Sequence, residues 1–199
     1  MSTSPRKTAY HHGDLRRALV DAGRELVREQ GVAGLTLRAA AARAGVSAAA
    51  PYRHFPDKES LLAAVIAEGF TELAATMSEA EGTRPLERMH VIGQRYLAFA
   101  DGEPALYRLM FGGAVPDRAA HPVLHAAESE AYAIMRTVIA EAIRAGDIHA
   151  DSVDAVLLTM RCVMQGLAAL IVDGQIPHER IPSAARAVMG VVDQGLLPR

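Results

Sequence analysis

The sequence predicts an all-α fold of about nine helices, arranged as a small N-terminal domain joined by a long helix to a larger helical domain. Three observations carry this. The strong helix formers Ala, Leu, Arg and Glu dominate, while the β-branched and aromatic clusters that strands need are scarce. Apolar residues recur at helical spacing, and Gly and Pro stand where helices should end. With 199 residues, half of them hydrophobic, the chain can bury a core without disulfides or metals.

Residues 1-12 are polar, with Pro5 and the pair His11 and His12, and read as a disordered arm rather than a metal site. A first helix runs from about Gly13 to Gln30. It carries Leu15, Ala18, Leu19, Ala22 and Leu26 on one face, with Asp14 available as a cap and Gly31 as a left-handed stop. A second, short helix follows Thr36, whose hydroxyl can cap the amide of Arg38 or Ala39, and ends at Gly45. Ser47 then caps a third helix over roughly 48-54. Two short helices joined by Ala44-Gly45-Val46 have the spacing of a helix-turn-helix.

Asp57 caps a fourth helix, 57-80, whose stripe of Leu61, Leu62, Val65, Ile66, Phe70, Leu73 and Met77 is long enough to leave the first domain and enter the next. The domains are therefore expected at 13-60 and 61-199, with the boundary inside this helix. Further helices are expected at about 85-100, 104-111, 121-145, 152-172 and 182-197, with a loop at Phe111-Pro116.

The net charge of -2 hides an asymmetry along the chain. Residues 1-55 hold nine Lys and Arg against four acids, and the remainder twelve against nineteen. That suits a small basic module that meets phosphate and a larger acidic body that does not.

The stretch from Gly31 to Leu62 resembles the DNA-binding domain of the tetracycline-repressor (TetR) family. Its most specific elements are Leu35-Thr36, Ala44-Gly45-Val46-Ser47 and Tyr52-Arg53-His54-Phe55-Pro56-Asp57-Lys58-Glu59. The resemblance implies a transcriptional regulator that binds a pseudo-palindromic operator in double-stranded DNA as a homodimer. The residue chemistry fits. Thr36 and Ser47 mark helix N-termini that can accept a phosphate oxygen. Ala48, Ala49 and Ala50 offer only methyls, suited to thymine. Arg38 and Arg53 can pair with guanine or phosphate, and by resemblance Tyr52, His54 and Lys58 hold phosphates. Pro51 departs from the commoner family pattern and forfeits an amide that would bond back to Ser47. Phe55 reads as core, Tyr52 fits core or surface equally, and Arg24 and Arg43 read as ordinary solvated charges.

Residues 85-197 resemble the C-terminal domain of family members marked by Trp and then His-Gly on the penultimate helix. Pro104-Phe111 matches that pattern, Gly166-Leu167 remains, and Arg161 and Gln165 stand at the Trp and His positions. Seven of the eight methionines follow residue 76 and give an adaptable interior. Although each of these side chains also suits plain core, the resemblance implies a pocket for a small apolar or amphipathic effector. Its expected lining is Tyr96, Phe99, Tyr107, Met110, Phe111, Tyr132, Met135, Met164 and Gln165. Helices 152-172 and 182-197 are apolar on more than one face, which points to a homodimer surface that takes in Cys162.

No phosphate loop, zinc-protease helix or nucleophile elbow is present, so neither an enzyme nor a bound cofactor is expected. No run of about 20 uninterrupted apolar residues suggests a membrane partner, and the single cysteine suits a reducing cytoplasm. The competing reading is a helical protein that uses its N-terminal domain for protein contacts without specific DNA binding.

Overall fold

The computed structural model describes the backbone of residues 12-196 and the side chains of residues 15-195. The expected arm, and the expected Asp14 cap, lie outside the described residues. The described chain forms eight α-helices: α1 (His12-Gly34), α2 (Leu37-Arg43), α3 (Lys58-Ser78), α4 (Pro85-Gly102), α5 (Pro104-Phe111), α6 (Pro122-Ala145), α7 (Val153-Val172) and α8 (Ile181-Leu196). Short 3-10 helices stand at Pro51-Arg53, Arg118-Ala120 and His178-Arg180, and no strand is present among the described residues.

Eight of the nine expected helices are α-helical. The third, expected over 48-54, is instead a tight turn followed by the 3-10 helix Pro51-Arg53. Pro51 is the reason: without its amide, an α-helix begun at Ala48 lacks its first bond to Ser47. The Ser47 carbonyl accepts the Ala50 amide at 3.0 Å instead, a three-residue step that tightens the turn. Ser47 thus contributes its carbonyl, not its expected hydroxyl cap. In α1 the helical path breaks at Gly31, which has φ 68° and ψ -174°, before a last turn reaches Gly34.

The chain divides into two compact units within α3, between Val65 and Ile66. In the first unit, α1 buries Leu19, Val20, Leu26 and Val27 with Leu35, Leu37, Ala40, Ala41, Phe55, Leu61 and Leu62. The alanines let α2 lie close to its neighbours, and Arg16 covers the Phe55 ring at 5.3 Å.

In the second unit, α4 is central and packs against α5, α6, α7 and α8. Met89, Ile92, Leu97 and Ala100 of α4, Leu124, Val138 and Ile139 of α6 and Met160, Met164 and Leu167 of α7 are all buried in the core of this unit. Polar ties fix the start of α4. The Glu87 carboxylate accepts the Thr83 hydroxyl at 2.8 Å and the Thr83 amide at 3.0 Å. Asp147, the one buried charged residue among those described, accepts Arg84 Nε at 3.1 Å and the Leu86 amide at 3.3 Å. These bonds, led by the one from Arg84, hold the Asp147 carboxyl below its ordinary pKa.

Two helices, α3 and α7, are long and apolar enough by length and composition to cross a membrane. The two differ in burial: 67% of the apolar window of α3 is buried in the fold, but only 33% of that of α7. The uncovered surface of α7 includes Leu158, Cys162, Leu170 and the small residues Ala155, Gly166 and Ala169, and exposed Val191 stands on α8.

Candidate nucleic-acid interface and effector cavity

The helix-turn-helix is built from local signals. Thr36 is extended and its hydroxyl accepts the Ala39 amide at 3.0 Å, which fixes the start of α2. At the other end Gly45 takes φ 70°. Its amide bonds Ala42 and that of Val46 bonds Ala41, at 3.2 and 3.0 Å, a Schellman closure that needs a left-handed residue and so favours glycine. The chain then turns through Ser47 into the Pro51-Arg53 helix.

The surface formed here is exposed at Thr36, Arg38, Ser47, Ala48, Ala49, Tyr52 and Arg53, with Ala50, His54 and Lys58 half-buried. Tyr52, which suited core or surface, is 53% exposed, whereas Phe55 is core at 2%. Asp57 accepts the Ser60 amide at 2.7 Å and caps α3. The Lys58 ammonium donates to the Val32 carbonyl at 3.0 Å, so it also ties the start of α3 to the end of α1.

Arg43 corrects its reading as an ordinary solvated charge. Its guanidinium forks onto Glu29, with bonds of 2.7 and 2.5 Å, and reaches Glu25 at 3.1 Å. The pairing with Glu29 raises the Arg43 pKa further and lowers that of Glu29. This cation belongs to the α1-α2 contact.

The second unit holds a cavity of about 60 Å³ lined from five helices. Phe70, Leu73 and Met77 of α3, Ile92, Gly93 and Tyr96 of α4, and Phe111 of α5 form part of the wall; Ala131, Tyr132 and Met135 of α6 with Leu157, Met160, Arg161, Met164 and Gln165 of α7 complete it. Of the residues expected to line an effector pocket, Tyr96, Phe111, Tyr132, Met135, Met164 and Gln165 line this cavity. Three expected residues are not on the wall. Met110 is fully buried where Gly69 leaves no room for even a methyl, since a Cβ there would stand 2.6 Å from the Met110 sulfur. Tyr107 stands just behind the wall, and Phe99 is not part of it.

Aromatic contacts set the shape of this cavity. Tyr107 and Phe111 lie 4.6 Å apart between centroids, Phe70 meets Phe111 edge-on at 5.6 Å, and Tyr96 meets Tyr107 edge-on at 6.1 Å. The Tyr107 hydroxyl donates to the Gln165 carbonyl at 3.4 Å and stands 3.1 Å from the Tyr96 hydroxyl. Burial is the main cause of the raised pKa of Tyr96, Tyr107 and Tyr132, so all three phenols are neutral near pH 7.

The sequence reading left Arg161 out of the lining. Its guanidinium carbon lies 4.0 Å from the Tyr132 ring centroid, and its Nε is buried without a hydrogen-bond partner. The available signal was a lone cation on α7 between cavity-facing Leu157 and Gln165, four residues to either side.

An exposed helix-turn-helix in one unit and an apolar cavity in a second, wholly helical unit define the class: a helix-turn-helix protein with an appended helical domain. Family comparison agrees over both parts. Residues 19-65 match the model of bacterial regulatory proteins of the tetR family, and residues 89-193 match the tetracyclin repressor-like C-terminal domain. The chain belongs to the TetR family.

A solved structure of a protein with unknown function from Rhodococcus sp. RHA1 is 30% identical, with a TM-score of 0.84 over 96% of this chain and 100% of that one. Among curated proteins, the HTH-type transcriptional regulator Rv1816 of Mycobacterium tuberculosis is 29% identical over 108 residues, 52% of this chain and 46% of that protein. The HTH-type transcriptional repressor KstR of Rhodococcus jostii is 32% identical over 95 residues, 48% and 45% of the two chains. The chain thus spans about half the length of the curated relatives it matches.

Proposed function

We propose that this protein is a ligand-responsive transcriptional repressor that acts in the cytoplasm and binds a pseudo-palindromic operator as a homodimer. The observation that carries the reading is the exposed surface of the helix-turn-helix. A capped helix start at Thr36, two cations at Arg38 and Arg53, and a half-exposed Tyr52 surround a turn whose side chains are methyls. Thr36, Ser47, Tyr52, His54 and Lys58 hold phosphates; Ala48 and Ala50 face thymine methyls; Arg38 and Arg53 read base edges. One such element covers only a few base pairs. Two copies, related by a two-fold axis with half-sites about one helical turn apart, give a usable operator.

The dimer surface is the uncovered face of α7 with α8, where Leu158, Leu170 and Val191 are exposed. The cavity in the second unit is the effector site. Four methionines on its wall, Met77, Met135, Met160 and Met164, let it widen around an apolar or amphipathic molecule. Helix α3 runs from Lys58 beside the DNA-reading turn to Met77 in that wall, and is the covalent route by which effector and DNA oppose each other. Coupling of about 1-3 kcal/mol is usual for such linkage, and DNA then weakens the effector by the same factor.

A gel shift with the DNA upstream of the protein's own gene, repeated over a salt series, tests this reading. Specific binding that steepens with phosphate contacts is expected. Equal, weak binding to every sequence would favour a domain kept for protein contacts.

A further inference from the structure

We propose that the effector is an anionic amphiphile, a carboxylate on an apolar body, and that Arg161 receives its carboxylate. The inference rests on the cavity being the effector site. Among the described lining residues Arg161 is the one charged group, in a wall otherwise made of methionine, aliphatic and aromatic side chains with a single amide. A guanidinium in such surroundings loses hydration and regains little unless its donors find acceptors. Here Tyr132 supplies a cation-π face at 4.0 Å and a side-chain hydrogen bond, but neither satisfies the buried Nε. Among the described residues Arg161 makes no ion pair.

The other cation near this aromatic cluster is a useful contrast. Arg118 stands 5.7 Å from the Phe70 centroid, yet Glu128 meets it at 2.9 Å and it also donates to the Met110 carbonyl. Its charge is answered by a carboxylate, whereas Arg161 has only the Tyr132 side chain beside it and its Nε is left without an acceptor. Tyr96 and Tyr107 do not compete for the role of donor. Tyr107 gives its proton to the Gln165 carbonyl, so in the Tyr96-Tyr107 contact Tyr96 donates, and both protons are spent. The planar fork of a guanidinium, with Nε on one edge, matches a carboxylate through two parallel bonds. Around it, the methionines Met77, Met135, Met160 and Met164 suit a flexible apolar chain.

The experiment compares decanoate with 1-decanol by titration calorimetry at pH 7.5, on the wild-type full chain and on R161M and R161K. Both variants are first checked for folding by circular dichroism. Wild type is expected to bind decanoate about tenfold or more tightly than decanol, the scale of one charge-assisted contact. R161M should lose that preference while holding decanol as before; R161K should keep part of it, as charge without the fork. Should R161M fail to fold, R161K carries the test, and an undiminished preference in it overturns the paired-bond geometry. Equal wild-type affinity for the two probes, or a preference that survives in R161M, refutes the carboxylate assignment and leaves the cavity as an apolar effector site. Absence of binding by either probe refutes the cavity reading and this proposal with it.

Discussion

Arg53 and Lys58 flank the turn that is proposed to meet DNA, but the structure gives them different work, and their variants should separate base reading, phosphate holding and stability. Arg53 is exposed at the end of the 3-10 helix, so Arg53→Ala should change folding stability by less than about 0.5 kcal/mol. Lys58 is half-buried and donates to the Val32 carbonyl at 3.0 Å. Lys58→Met keeps most of the stem but loses that bond, a cost of about 1 kcal/mol. For a chain of this size the melting temperature should fall by about 2-4 °C.

On DNA the order reverses in kind. Arg53→Ala should cost about 1-3 kcal/mol per protomer, concentrated at one operator position and its symmetry mate. Lys58→Met should weaken all sequences alike. Each lost phosphate contact lowers the slope of log affinity against log salt by about 0.9, hence about 1.8 for a dimer. Between 50 and 200 mM salt, that difference alone makes the variant's loss of affinity about twelvefold smaller than the wild type's. Fluorescence anisotropy with labelled operator across that range, beside thermal melts, reads all these quantities. Wild-type affinity and slope in both variants would refute the DNA surface. A lower melting temperature with an unchanged slope in Lys58→Met would reduce Lys58 to a tie between helices.

Three further outcomes follow from particular contacts. Gly45→Ala meets open space but must hold φ 70°, so the left-handed cost of about 1-2 kcal/mol, partly offset by a stiffer unfolded chain, should leave about 1 kcal/mol of destabilisation in a urea titration. Asp147 has a lowered folded pKa, so its contribution is present above the unfolded carboxylate value of about 3.9 and is lost as pH falls through the folded value. The difference in melting temperature between wild type and Asp147→Asn should therefore be constant from about pH 5 to 8 and shrink below about pH 4; a gap that persists there would rule out the charge as its source. Leu158→Glu combined with Val191→Glu places carboxylates on exposed apolar positions of α7 and α8 and should leave a folded monomer in sedimentation velocity; a dimer that persists would move the interface elsewhere.

The sequence by itself determined eight of the helices, the caps at Thr36 and Asp57, and the family. Periodicity marked nine helices, of which eight are α-helical, and the Thr36 cap, the Asp57 cap, the left-handed Gly31 and the turn at Gly45 were each readable because such signals act over a few residues along the chain. The consequence of Pro51 was only half legible. Loss of its amide is local, but the replacement bond from Ala50 to Ser47 and the resulting 3-10 turn emerge only with the backbone in place. Tertiary structure decided everything that depends on residues far apart. It turned Arg43 onto Glu25 and Glu29 of α1, gave Lys58 a second role at Val32, and sent Met110 into the core beneath Gly69 instead of onto the cavity wall. It also brought Arg161 into an apolar cavity beside Tyr132. Helical spacing tells which residues share a face; what that face meets is set by side chains packed from other helices, often dozens of residues away.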